Sequence, residues 1–444
     1  MATPPGRGGV GCVRLSGPAA HRLGCRRFAP AGGSRPTADA RARFGRFVGR
    51  DGLAVDHGYL VLFPDGGSYT GEETAELFTH GSPAVLAELV EAAVADGAAP
   101  AGPGEFTYRA LRHGRLDLAR AEAVRDLIEA RTVYQARVAF RQAEGALSRR
   151  LAPLREMLEE WIARGEAAVE FVDESDVHLP GGGLVAAIDR ARASCRELLA
   201  GYRCGRVVRD GAAVAIVGLP NVGKSSLFNR FLSRDRAIVT PSAGTTRDTL
   251  EDDLDLDGIP VRLIDTAGLR EVVDPVESEG VKRAERARAD ADLVLLVLDA
   301  SREIADRERD AIRDAEAADV DRTVIVWNKA DLPQVGDRAA APRALAVSAR
   351  TGEGCDGLRR ALRERLVGES LVEHPILTDA RHARSLEDAL EALDRAGTAA
   401  DHALSEELVL EDLREAMRHI GGITGEFTQE DLYDRIFSTF CIGK

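Results

Sequence analysis

The chain has 444 residues, 30% of them charged, and a formal net charge of −14, a length that accommodates two or three domains with cores of their own. No run approaches the roughly 18–20 uncharged apolar residues needed to span a bilayer, and the opening MATPPGRGGVG lacks the apolar stretch of a secretory signal. The six cysteines (Cys12, Cys25, Cys195, Cys204, Cys355, Cys441) are scattered, with neither CxxC nor zinc-like spacing. A cytoplasmic protein with reduced thiols and no membrane association is the expectation. Charge is unevenly spread: residues 1–50 hold ten arginines and one acid, Asp39, a basic segment suited to an anionic ligand or nucleic acid, or simply a solvated surface. Of 59 basic residues only four are lysine (Lys224, Lys282, Lys329, Lys444), so each lysine marks a place where a compact ammonium suits better than a planar guanidinium.

In chain order, the first 110 or so residues read as mixed α/β, with apolar runs VGCVRLSG and GYLVLF and a helical PAVLAELVEAAVADG. From Leu116 the spacing turns helical: Leu118, Ala121, Val124, Leu127 and Ile128, then Leu147, Leu151, Leu154, Leu158, Trp161 and Ile162. Two or three long amphipathic helices are predicted over 117–172, and another over about 184–203. At Ala212 the pattern becomes a parallel α/β sheet with strands AAVAIV, TLEDDLDL, IPVRLID, LVLLVLD, TVIVWN and ALAVSA. Asp257-Gly258 between the second and third predicts a hairpin and one antiparallel edge. Beyond about 368 the chain is helical again, with a break predicted at Gly421-Gly422. The expected fold is therefore multidomain, α/β and all-α, with a discontinuous helical domain carrying an inserted P-loop domain.

GLPNVGKSS (218–226) fits GxxxxGK[ST] between a strand and a helix, the context in which backbone N–H groups cradle phosphates. Lys224 is placed to reach the β/γ oxygens and Ser225 to ligate Mg²⁺. Asp265-Thr266-Ala267-Gly268 ends a later strand and suits a water-mediated Mg²⁺ contact from Asp265 and a γ-phosphate contact from the Gly268 amide. Asn328-Lys329-Ala330-Asp331 follows another strand; a carboxylate at Asp331 accepts both the ring N–H and the exocyclic amine of guanine, which adenine cannot offer. Ser348-Ala349-Arg350 completes the base site. Four motifs in this order, each at a strand end, specify a Ras-like GTPase. Leu269 occupies the place where small GTPases carry a water-orienting glutamine, leaving Glu277 as one candidate among several nearby acids; Arg247 and Arg270 are candidate fingers.

These motifs, together with ATPPGRGGVG and RLSG (2–17), SYTGE (68–72), GEFTYRALRHGRLDLARAEAVRDLI (104–128), GTTRD (244–248), DTAGLRE (265–271), ITGEFT and FCIGK, resemble those of the MnmE/TrmE family of tRNA-modifying GTPases over nearly the whole chain. The resemblance implies an N-terminal folate-binding and dimer-forming domain (1–112), a helical domain (113–208 and 370–444) and a Ras-like G domain (209–369). It implies a K⁺-dependent homodimeric GTPase in which Asn221, Thr240, Ser242 and Thr245 hold the ion, Thr246 joins Ser225 on Mg²⁺, and Glu277 orients the water. The GTP-contacting set it implies is Asn221, Val222, Gly223, Lys224, Ser225, Ser226, Thr240, Thr245, Thr246, Asp265 to Gly268, Asn328, Lys329, Asp331 and Ser348 to Arg350. A 5,10-methylene- or 5-formyl-tetrahydrofolate would meet Arg14, Glu76, Arg115 and Lys444. With a flavoprotein partner, MnmG, the family adds an aminomethyl or carboxymethylaminomethyl group at C5 of the wobble uridine of tRNA. Here Arg115 replaces the family's lysine, Ser82 a glycine and Gly67 a proline, all in the folate domain.

A second reading is an RNA- or ribosome-binding GTPase switch of the Era or Der kind; Der-like chains carry two P-loops against one here, and the GITG at 422–425 lacks the flanking strands of an RNA-binding KH loop. The terminal CIGK is no prenylation box, since it ends in lysine. Ile436, Phe437 and Phe440 predict an apolar face packed on the helical domain, with Cys441 a candidate for chemistry.

Overall fold

The computed structural model describes the whole chain except residues 34, 171–180, 236–250, 266–288, 318–319, 336, 369–374, 403–404, 428–429, 442 and 444. The chain forms two compact units, 1–125 with 421–444, and 126–420.

In the first unit, β1 (Gly8–Ser16), α1 (Ala20–Arg26), β2 (Phe28–Pro30), β3 (Arg43–Val48), β4 (Ala54–Phe63) and β5 (Thr74–Gly81) are followed by α2 (Pro83–Ala95), α3 (Glu105–Arg112) and the start of α4 (Leu118–Glu129). The five strands form one antiparallel sheet in the order β1-β5-β4-β3-β2. Side chains alternate across it with the period of two that a pleated strand imposes. Val13, Phe47, Leu60, Leu62 and Leu77 point inward against Leu86 and Leu89 of α2. Arg14 pairs in register with Glu76, and Phe44 with Tyr59, on the other face. Two glycines make the tight centre of this sheet. Gly45 leaves room for the Phe28 ring, and a Cβ at Gly58 would sit 1.9 Å from the Phe78 carbonyl oxygen.

The C-terminal tail belongs to this first unit. Phe437 and Phe440 are buried with Ala121, flanked by Tyr108, Leu111, Tyr433 and Ile436, and Arg125 donates to Thr439 at 3.0 Å. The apolar face expected from the sequence thus meets α3 of the N-terminal unit as well as α4, because Gly104, at φ 64°, brings its backbone against the Phe437 ring.

The second unit holds α5 (Val133–Ala143), α6 (Ala146–Glu170), α7 (Gly181–Ala200), α8 (Tyr202–Asp210), β6 (Ala212–Val217), α9 (Lys224–Asp235), β7 (Glu251–Leu256), β8 (Ile259–Asp265) and β9 (Leu293–Asp299). It continues through α10 (Asp306–Ala317), β10 (Thr323–Asn328), β11 (Leu345–Ala346), α11 (Cys355–Val367), α12 (Ala380–Asp401) and most of α13 (Glu406–Thr424); α14 (Glu430–Phe437) lies back in the first unit. The sheet order is β11-β10-β9-β6-β8-β7. All neighbours are parallel except β7 and β8. Every residue of β9 and β10 is buried, as strands covered on both faces require. The antiparallel edge follows from Asp257 and Gly258, whose φ values of 50° and 98° make the two-residue turn.

Helical pairing in this unit relies on close approach. Gly165 of α6 faces Leu410, and Gly397 of α12 faces the Arg192 guanidinium, which donates to the Asp394 carbonyl at 3.1 Å and forms an ion pair with its carboxylate. The helix expected over 184–203 is two helices, α7 and α8, meeting at Gly201 and reaching Asp210. The predicted break at Gly421-Gly422 is absent: α13 runs through to Thr424 and ends at Gly425, φ 92°. An interior glycine costs a helix only about 1 kcal/mol relative to alanine, and Gly421 lets the Phe427 ring close on the helix.

Gly58→Ala is expected to destabilise the chain by roughly 1–3 kcal/mol, the usual cost of overpacking, read as a lower urea midpoint for loss of the first unit. An unchanged midpoint contradicts the packing described.

Candidate functional site

The site begins where β6 ends. Ala212–Val217 is uniformly apolar because it is a central strand, paired with β8 and β9. The chain then turns through Gly218 (φ 150°), Asn221 (φ 65°) and Gly223 (φ 96°) into α9. Gly223 admits no side chain, since a Cβ would sit 2.3 Å from the Asn328 amide nitrogen. That amide donates to the Val222 carbonyl at 2.9 Å and accepts from the Ala349 N–H at 3.0 Å. Asn328, 1% exposed, thus ties the loop before α9 to the loop after β11.

Lys224 is buried, and its ammonium donates to the Gly218 and Leu219 carbonyls at 3.0 and 2.8 Å. Register places Asp265 beside Ile216, and the Ser225 hydroxyl donates to its carboxylate at 2.8 Å. Asp265 is only 2% exposed. Two hard oxygen donors converging beside a lysine at a helix N-terminus fit Mg²⁺ and phosphate oxygens. Asn221, Ser225 and Ser226 are exposed on the same turn.

At the far side, Asp331 accepts from the Ser348 hydroxyl at 2.6 Å and from Arg350 at 2.7 Å. The Ser348 bond, then Arg350, hold its carboxyl below the usual carboxylate range, so it stays an acceptor, as guanine needs. Two residues not singled out from the sequence support this loop. Asp299, at the end of β9, pairs with the Lys329 ammonium at 2.6 Å and accepts from Ser301. Burial alone raises Asp299, but the Lys329 and Ser301 bonds outweigh it and lower its pKa. Arg230 of α9 donates to the Ala349 and Arg350 carbonyls at 3.1 and 2.6 Å. The signal for Asp299 is its register opposite Asn328.

Among the predicted site residues, Thr240, Ser242, Thr245, Thr246, Thr266, Ala267, Gly268, Glu277 and Lys444 lie outside the described residues, as do Arg247, Leu269 and Arg270. The structure brings Arg14 and Glu76 together at 2.8 Å. The Arg14 guanidinium lies 5.5 Å from the Phe106 ring centroid and 5.9 Å from that of Tyr69. A carboxylate, a guanidinium and two ring faces form a donor set that fits an N–H-bearing heteroaromatic ring. Beneath it, Ser16 bonds Thr70 and Glu72, and Arg109 reaches Glu72 at 3.1 Å. Arg115 is exposed beside Gly71, and Cys441 is exposed with its carbonyl accepting from the Gly104 N–H at 3.4 Å.

A family model described as "MnmE helical domain" matches residues 118–441, and one described as "GTP-binding protein TrmE N-terminus" matches residues 1–115. The "tRNA modification GTPase MnmE" of Koribacter versatilis is 44% identical over 448 residues, covering 100% of this chain and 98% of that one. That of Chloroflexus aurantiacus is 42% identical over 454 residues with the same coverage. Among solved structures, Aquifex aeolicus Era is similar at 26% identity over 41% of this chain and 66% of its own, with a TM-score of 0.27, too low to bear on function.

Asp331→Asn turns an acceptor pair into one acceptor and one donor. Guanine nucleotide affinity is expected to fall roughly 10- to 100-fold, the worth of charged hydrogen bonds lost, while xanthine nucleotide affinity rises. Titration with both nucleotides checks this; unchanged guanine affinity contradicts the assignment.

Proposed function

Because the chain belongs to the MnmE/TrmE family of tRNA modification GTPases, a GTP hydrolase linked to tRNA modification, we propose the finer course of its reaction as follows. The chain works in the cytoplasm as a homodimer, with K⁺ required for hydrolysis. With the flavoprotein MnmG it installs an aminomethyl or carboxymethylaminomethyl group at C5 of the wobble uridine, drawing the carbon from a tetrahydrofolate. Residues 1–112 bind folate and dimerise, 113–208 and 370–444 form the helical domain, and 209–369 hydrolyse GTP.

The observation that carries this reading is the Arg14–Glu76 pair between the Tyr69 and Phe106 rings. A GTPase switch alone has no use for it, whereas a pterin ring offers N–H groups to Glu76 and a face to the aromatics. Arg115 and Lys444 then serve the glutamate tail or the carbon-bearing end, and exposed Cys441 stands at the same end of the chain.

In the G domain, Lys224 neutralises phosphate charge, and Ser225, Thr246 and Asp265 are the residues that would hold Mg²⁺. Asn221, Thr240, Ser242 and Thr245 offer hard oxygen donors to K⁺. Bound Mg²⁺ and K⁺ supply positive charge to the phosphate oxygens as GTP is cleaved. Glu277 orients the attacking water, a task Leu269 cannot perform because it has no hydrogen-bonding atom. Asp331 selects guanine, held in place by the Ser348 hydroxyl, while the Ala349 amide fixes the base loop to Asn328.

GTP hydrolysis by the full chain is expected to run at least about tenfold faster in K⁺ than in Na⁺ at equal ionic strength, a floor below the roughly 100- to 1000-fold that one transition-state charge contact contributes. Equal rates in the two salts overturn the K⁺ assignment.

A further inference from the structure

The segment 131–135, at the entry to α5, grips the P-loop domain at two places at once. On one side Arg131 donates to the Asp210 carbonyl at 3.1 Å and Gln135 to the Arg209 carbonyl at 2.5 Å. Those are the last carbonyls of α8, and Gly211 leads from them directly into β6 and the phosphate loop. On the other side the Thr132 hydroxyl donates to the Gly258 carbonyl at 2.6 Å. The same hydroxyl accepts from the Gln135 N–H at 3.1 Å, capping α5. Tyr134 lies against Gly258, where an added Cβ would come within 2.7 Å of its own Cβ. Thr132 and Gln135 are buried, and Val138 of α5 belongs to the core shared by β6, β7 and β8.

Gly258 is the tip of the β7–β8 hairpin. The two strands of that hairpin run from the tip to the nucleotide: β8 ends at Asp265, and β7 begins at Glu251, a few residues after Thr246. Seven residues of strand make a stiff ribbon about 23 Å long, so a shift at its nucleotide end reaches its tip. Arg359 of α11 steadies the tip from the G-domain side, donating to Asp257 at 3.1 Å. Behind α8, Arg209 is locked by Asp126 and Asp379, each at 2.7 Å, so the α8 end forms a fixed reference.

We propose that residues 131–135 are the joint through which the nucleotide state of the G domain reaches the helical domain, with Thr132 and Tyr134 as its positioning residues. The joint passes on displacement of the β7–β8 tip relative to the fixed α8–β6 junction, and α5 is the element that moves. The proposal rests on the GTPase activity alone and is independent of the one-carbon chemistry.

Hydrogen exchange on the full chain, loaded with GDP or with a non-hydrolysable GTP analogue, tests it. Amides of 133–143 in the unaltered chain are expected to differ at least about threefold in exchange rate between the two states, as a local opening equilibrium shifts. Thr132→Val keeps the volume and removes the hydroxyl; Gly258→Ala wedges the tip off Tyr134. Both are expected to abolish that difference with nucleotide affinity held within about threefold, and Thr132→Ser, which restores the hydroxyl, to retain it. Identical exchange in the unaltered chain, a difference that survives both variants, or loss of nucleotide affinity with the joint overturns the proposal.

Discussion

The nucleotide site depends on one buried amide. Asn328 offers a donor and an acceptor, and both are used: one holds the Val222 carbonyl, the other the Ala349 N–H. A buried amide left unsatisfied costs on the order of 1–3 kcal/mol per group, so neither loop leaves it without loss. Through that amide the phosphate loop and the base loop keep a fixed spacing, and Lys224, Ser225 and Asp331 inherit their positions from it. Gly223 follows from the same constraint, because the Asn328 amide occupies the space a side chain there would fill. Asp299 and Arg230 then brace Lys329 and the 348–350 loop from behind.

Much of this is legible in the sequence because the site is written in short contiguous stretches at strand ends. GLPNVGKSS, the Asp265 strand end, NKAD and Ser348-Ala349 each carry chemistry that needs those residue types at that spacing. Asp299 and Arg230 are less legible because each acts on a residue far away in sequence, and an Asp ending an apolar strand or an Arg on an exposed helix reads as solvated charge. The all-parallel core with one antiparallel edge follows from the apolar runs and Asp257-Gly258. The N-terminal sheet is harder: RFGRFV and TAELFTHG are short, and Gly45 interrupts β3 where the Phe28 ring packs, as Gly58 interrupts β4 where the Phe78 carbonyl approaches. Gly421-Gly422 misleads for a related reason. Glycine pairs break helices through backbone entropy, yet here a neighbouring ring uses the bare backbone.

The chemistry divides between the two units. The first offers a charged pair among aromatic rings, with the C-terminal tail pinned by Phe437 and Phe440 so that Cys441 is presented from a fixed base. The second offers a phosphate and guanine site whose strands run straight to the start of α5. Of the four lysines, Lys224 donates to the Gly218 and Leu219 carbonyls of the phosphate loop and Lys329 pairs with Asp299 behind the base loop. The overall charge of −14 says little about nucleic acid by itself, since the arginine-rich first fifty residues oppose it locally.

The most direct measurement of the central claim is mass spectrometry of wobble nucleosides from cells lacking this protein. The account predicts uridine without its C5 aminomethyl or carboxymethylaminomethyl group, restored by the intact chain and not by Asp331→Asn. Normal C5 modification in those cells contradicts it.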